Sequence, residues 1–203
     1  IPSMQVGGAT LKNVVVLIMN DANLKISFGD TTYQINAILG YPAFQAMGVI
    51  TFTHSSEFEA GKAAYRSEKG IPMYMRRLVP VVNLRVNGVI LPFTLDTGAE
   101  GTDLSMRYYE RFKGSDLAWK QDEDEVAGAG GMIKRTIYEQ PLLSLAVGDK
   151  IALLKDISIT PKKMNSGLDE LYGNIGQDFF GKFDSFTFDF SNMTFKVGAP
   201  VSP

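Results

Sequence analysis

Residues 89–105 read VILPFTLDTGAEGTDLS, an apolar run that drives straight into Asp96-Thr97-Gly98. An aspartate at the end of an apolar strand is a carboxylate placed where protein meets a cleft. There it can act as a general base or acid, provided the proton it moves lies within hydrogen-bond reach. Gly98 and Ala99 are small enough to let a substrate or a second chain approach closely, and Thr97 can hold the loop through its hydroxyl. The tripeptide alone reads equally well as a structural turn, because Asp-x-Gly is a common turn sequence. Other chemistries have less to build on. There is no cysteine and a single histidine, His54, so disulfides, thiolate metal sites and cysteine nucleophiles are excluded. His54 follows a strand-like run and reads as a strand-end residue. Gly-x-Ser-x-Gly, His-Glu-x-x-His and phosphate-loop motifs are all absent. The run GAGG at 128–131 lacks dinucleotide spacing and reads as a hairpin. No metal and no cofactor are therefore expected. Asp178 and Asp189 read as structural, capping a short helix and holding a turn, and Asn192-Met193-Thr194 matches the glycosylation triplet without further support.

The elements that must position Asp96 read as β. Val, Ile, Phe and Tyr fall in short runs broken by twenty Gly and nine Pro. Strands are predicted at 11–19, 24–28, 33–39, 49–54, 78–86, 89–95, 132–138, 142–147, 150–159, 184–190 and 193–197. Asn87-Gly88 sits between two of these runs as a type I′ hairpin turn requires, since both turn residues need positive φ. Gly148-Asp149 has the same form. Short helices are predicted at 105–113, capped by Ser105, and at 177–183. The acidic run at 120–126 reads as a solvated loop.

With 203 residues, 45% of them hydrophobic, the chain can build one medium domain or two small ones with a real core. A net charge of −2 lacks the basic footprint of a nucleic-acid binder. The longest apolar run, VVVLIM at 14–19, is strand-sized, far short of the ~20 residues of a membrane span. No membrane span is expected in this chain, and the β texture without cysteine favours a secreted or periplasmic setting.

The sequence also compares with itself. At a constant offset, Leu39 falls on Ile175, Gly40 on Gly176, Phe44 on Phe180, Ile50 on Phe186, Thr51 on Thr187 and Phe52 on Phe188. Upstream, LKNVVVLI (11–18) resembles LKDISITP (154–161) at a slightly different offset. The expected organisation is the C-terminal half of a first lobe at 1–60, a linker at 61–76 and a complete lobe at 77–203.

In order along the chain come Asp96-Thr97-Gly98-Ala99, a glycine-rich stretch from Ala127 to Gly131, Asn174-Ile175-Gly176, and Phe188-Asp189-Phe190. This order resembles the retropepsin-like aspartic proteases and, through them, the pepsin family. The resemblance covers about 77–197 and, more weakly, 10–60. Two positions differ: Glu100 stands where the family often has Ser, Thr or Asp, and Asn174 replaces an apolar residue. The resemblance implies an all-β, acid-protease type closed barrel with one complete lobe and half of a preceding one. It implies an aspartic endopeptidase in which Asp96 is one catalytic carboxylate and Thr97 and Gly98 orient its loop. Ala99 and the flap residues Ala127, Gly128, Ala129, Gly130 and Gly131 would bind the peptide substrate. Two aspartates would share one proton about 3 Å apart, because two adjacent carboxylate anions repel.

One Asp-Thr-Gly cannot supply both carboxylates. Three arrangements are open: a first Asp-Thr-Gly in a lobe upstream of Ile1, two chains pairing their Asp96 residues, or a degenerate first copy that leaves a non-catalytic barrel binding extended peptides. The start at Ile1-Pro2 and the half-length first copy favour the upstream lobe.

Overall fold

The computed structural model describes residues 1–28, 31–54, 57–61, 70–115, 119–128, 131–162 and 170–201, and is predominantly β. The first half carries β1 (Ser3–Val6), β2 (Ala9–Lys12), β3 (Lys25–Phe28), β4 (Thr31–Gln34), β5 (Val49–Thr53) and β6 (Phe58–Gly61), with helix α1 (Tyr41–Met47) before β5. Next come β7 (Ile71–Arg76), β8 (Val79–Val86), β9 (Val89–Leu95), β10 (Asp103–Leu104) and helix α2 (Met106–Phe112). Then follow β11 (Lys120–Gly128), β12 (Gly131–Val147), β13 (Lys150–Ile159), β14 (Gly173–Ile175), helix α3 (Gln177–Phe180), β15 (Ser185–Asp189) and β16 (Thr194–Val197).

The Asn87-Gly88 turn behaves as the sequence requires: both residues take positive φ, 48° and 79°, and fold β8 onto β9 with Val86 opposite Val89. The turn between β12 and β13 differs from the expected form, because Gly148 takes φ 61° but Asp149 does not take positive φ. Ser105 caps α2, its hydroxyl accepting from the Arg107 N–H at 3.1 Å, a contact worth about 1 kcal/mol.

One large sheet holds twelve strands in the order β11-β12-β13-β10-β14-β9-β8-β7-β16-β15-β5-β6. A further pairing, Ala146 opposite Arg85, joins β12 back to β8. The pairings therefore run from β8 through β9, β14, β10, β13 and β12 and return to β8. Leu84, Phe93, Leu95, Leu104, Ile159 and Ile175 point inward and are fully buried. At about 1.5–3 kcal/mol per buried apolar side chain, this cluster is what fixes the end of β9.

The seam between the two halves of the chain is β5 against β15. They pair antiparallel with Thr51 opposite Thr187, and the two hydroxyls meet at 2.9 Å. Around them Phe52 stacks on Phe186 at 4.9 Å and Phe44, Phe180 and Phe188 fill the space behind.

Several expectations need correction. The run 14–19 is not a strand: β2 stops at Lys12, and Val15, Leu17 and Ile18 are exposed. No strand among the described residues pairs with that run, and β propensity without an edge to pair with does not make a strand. Likewise β4 ends at Gln34, and Ile38 is exposed. The acidic run 120–126 is strand, not loop. Its charges are matched across the hairpin, Glu123 with Lys134 at 3.2 Å and Asp124 with Arg135 at 3.1 Å. The two strands read at 132–138 and 142–147 are one, because Pro141 sits in β12 without ending it. Ile71–Arg76, within the stretch read as a linker, forms β7, which bridges β8 and β16.

Candidate active site

β9 is buried along Phe93, Thr94 and Leu95, and Asp96 is the first residue beyond it. A second strand, β14, runs parallel to its end, with Asn174 beside Thr94 and Ile175 beside Leu95. The Asp96 N–H donates to the Ile175 carbonyl at 2.9 Å, so the backbone at the aspartate is part of that ladder. The chain then turns away, and the loop 97–102 passes over the start of α3.

The carboxylate is half-buried and receives amide donors on both oxygens. The Gly98 N–H donates to Oδ1 at 2.9 Å, and the Asn174 side-chain amide donates to Oδ2 at 3.3 Å. The Asn174 carbonyl in turn accepts from the Thr94 hydroxyl at 2.6 Å, which fixes the amide with its N–H toward Asp96. Among the described residues these amides are its polar partners, and no second carboxylate touches it. Also among the described residues, no group of three or more His, Cys, Asp or Glu is placed to hold a metal.

The loop is tied down from below. The Gln177 N–H donates to the Ala99 carbonyl at 2.9 Å, and the Gln177 side chain donates to the Thr97 carbonyl at 2.6 Å. The Gly176 N–H donates to the Thr102 hydroxyl at 3.2 Å, which itself donates to Asp178 at 2.7 Å. Asp178 also accepts the Phe179 N–H at 2.9 Å, but it lies inside α3, whose N-cap is Gly176 with no side-chain cap, so it is not the helix cap expected from its position. Asp189 is structural too: buried, it accepts the N–H groups of Ser191 and Asn192 at 3.0 and 2.9 Å.

From the other side comes a residue of the first half. Tyr41, the first residue of α1, donates its phenol to the Leu95 carbonyl at 2.9 Å.

Asp96, Thr97, Gly98 and Ala99 thus form one loop with the donors and crossing strand around them. Of the expected flap, Ala127 and Gly128 lie at the end of β11, Gly131 begins β12, and Gly128 pairs with Gly131 across the hairpin. Ala129 and Gly130 lie outside the described residues. The roles of Asn174, Gln177, Thr102 and Tyr41 were not read from the sequence. The self-comparison held a signal for two of them, since the same offset that aligns Thr51 with Thr187 places Tyr41 on Gln177.

The β11–β12 hairpin is anchored to the segment after the Asp96 loop by a charged cluster. Arg135 on β12 donates to Asp103 on β10 at 2.5 Å and to Asp124 at 3.1 Å, and Thr160 joins the cluster. Burial raises the ionisation of Asp103 above the ordinary carboxylate range, although Arg135 pulls the other way. A raised folded pKa means that this carboxyl favours the folded state most when protonated, and the benefit is lost as pH rises through the folded value. Without the arginine the loss deepens. We predict that Arg135→Met lowers stability by about 1–3 kcal/mol at neutral pH, a buried-pair cost discounted because Asp103 is partly exposed. The gap to the parent protein should narrow on acidification, as Asp103 takes a proton. Urea unfolding at several pH values measures this, and a gap that widens toward acid would contradict the assignment.

Compared with known proteins, the chain matches no family model and no curated protein.

Proposed function

We propose that this chain is part of an aspartic endopeptidase, with Asp96 as one of two carboxylates that activate a water against a peptide carbonyl. The observation that carries the reading is the setting of Asp96. A carboxylate stands at the end of a buried strand with an amide on each oxygen, beside a parallel strand that runs into Gly176. This arrangement holds a carboxylate in place at a surface, which suits a group that must accept a proton from water. The ring of pairings from β8 back to β8 supports a closed barrel around 77–197.

Related lobes at 1–60 and 77–203 are supported by the seam. Thr51 faces Thr187, α1 precedes β5 as α3 precedes β15, and each helix starts after a glycine in extended conformation. Asn13 and Asp156, the third residues of the Leu-Lys-Asn and Leu-Lys-Asp matches, also share φ 55°.

The second carboxylate comes from another lobe or a second chain. With the two held about 3 Å apart, one proton is shared between them. The ionised member takes a proton from the attacking water while the other protonates the carbonyl oxygen, and the proton then passes to the leaving amine. The substrate lies extended between the Asp96 loop and the β11–β12 hairpin, paired through its backbone as an added strand.

The test is cleavage of a broad peptide library at about pH 4 and about pH 7, with a statine-type inhibitor as control. It is run on this chain and on any longer form that carries it. Inhibitor-sensitive cutting by this chain alone means that Asp96 pairs across two chains. Cutting only by a longer form means that a second lobe supplies the partner. Folded protein that cuts in neither form sinks the proposal, and leaves a barrel that binds extended peptides without hydrolysing them.

A further inference from the structure

The Asp96 loop is gripped from two sides by residues of equivalent place. Gln177 and Tyr41 each open a short helix directly after a glycine, and each sends its side chain to a backbone carbonyl flanking Asp96. Gln177 reaches the Thr97 carbonyl at 2.6 Å, and Tyr41 reaches the Leu95 carbonyl at 2.9 Å. The Tyr41 ring is packed edge-on against Phe44 and Phe188, with centroids 5.9 and 5.5 Å apart, so the phenol has little freedom to swing away. Burial raises its ionisation and the nearby Asp96 charge adds to this, so it stays a neutral donor throughout the working range.

From this geometry we infer that Tyr41 is a positioning residue for Asp96, supplied by the first half of the chain to a site whose carboxylate belongs to the second. The inference rests on the peptidase reading for its catalytic consequence, though not for the clamp itself. Leu95 is fully buried, so its carbonyl has no water to turn to when the phenol is removed. The loop then loses the hold on one flank of the aspartate while Gln177 still holds the other. Small misplacement of a reacting group costs up to ~100-fold in rate.

The experiment is Tyr41→Phe in the full chain, with two readouts. The first is peptide hydrolysis, where kcat should fall ~10–100-fold while KM stays within about twofold, since the substrate's own binding groups are untouched. The second needs no activity. The Gly98 amide donates to the Asp96 carboxylate, and its hydrogen exchange should run ~10-fold faster in the variant while core amides of β8 and β9 are unchanged. A folded variant with unaltered kcat and unaltered Gly98 exchange overturns the inference. If neither this chain nor a longer form that carries it cuts a peptide, the peptidase reading falls by itself, and the exchange result still decides the clamp. Phenylalanine keeps the ring packing. If the variant nevertheless fails to fold, Tyr41→Met also removes the phenol from the Leu95 carbonyl, and unchanged Gly98 exchange there would overturn the inference equally.

Discussion

Asp96→Asn is expected to reduce peptide hydrolysis by at least ~10³-fold with little change in fold stability. The two effects separate because asparagine keeps the shape of the side chain and one acceptor oxygen. The Gly98 N–H, now 2.9 Å from Oδ1, can still donate to that oxygen. What is lost is the charge and the second acceptor. The Asn174 amide, now 3.3 Å from Oδ2, would face another amide. Its own carbonyl is held by Thr94, so it cannot flip without breaking that bond at 2.6 Å. The structural cost is therefore one poorly made hydrogen bond at a half-buried position, about 1 kcal/mol. On the proposed peptidase reading, the catalytic cost is the loss of the group that would accept a proton from water. Measuring kcat/KM beside the urea midpoint separates the two. Normal cleavage by the variant would remove Asp96 from the mechanism, whereas collapse of both rate and stability would mark it as structural.

The largest stability effect is expected at Gly176. A Cβ there would lie 2.3 Å from the Gly101 carbonyl oxygen and 2.5 Å from its carbon, with the Ala99 carbonyl 3.0 Å away. All are backbone atoms, and both chains are held in place: the loop by the bonds from Gln177 and Thr102, and β14 by β9 and β10. Gly176 has φ −110°, which any residue adopts, so the requirement is space alone. Gly176→Ala should cost about 4 kcal/mol or more, the range of severe overpacking, and should often leave no folded protein. Gly101→Ala is the matched control. Nothing lies within 4 Å of its Cβ position, and a shift within about 1 kcal/mol is expected. Equal urea midpoints for the two variants would mean that the crossing of loop and strand is looser than these distances state.

What the sequence could say about this molecule depended on how local the cause was. Asn87-Gly88 was legible because positive φ is a property of the turn residues themselves, whereas at Gly148-Asp149 only the position of the turn was legible. α2 was legible too, since its cap and first turn lie within three residues. β10 was not legible. It is two residues long and exists because it crosses between β13 and β14, a fact of packing that leaves no period to read. The run at 14–19 misled in the opposite direction, since its apolar residues match a buried strand in composition yet stand exposed here. At the candidate site, the placement of Asp96 just past a buried strand was legible from the apolar run before it. Asn174 drew notice only as a departure, although it is the donor to Oδ2. Tyr41 could be seen only by combining the self-alignment with a contact spanning 54 residues.

The seam between β5 and β15 has a consequence for synthesis. Its central contact joins residues 136 apart, so β5 must leave the ribosome long before the strand that covers its edge exists. At ordinary elongation rates of about 5–20 residues per second, that interval lasts roughly 7–27 seconds. Throughout it Ile50 and Phe52 border an open strand edge, the kind of surface that templates aggregation. The closing contact is also among the most distant in the chain, which places it among the slower steps of folding. Yield from a cell is thus tied to how that one nascent strand is sheltered, a demand set by topology and independent of the chemistry at Asp96.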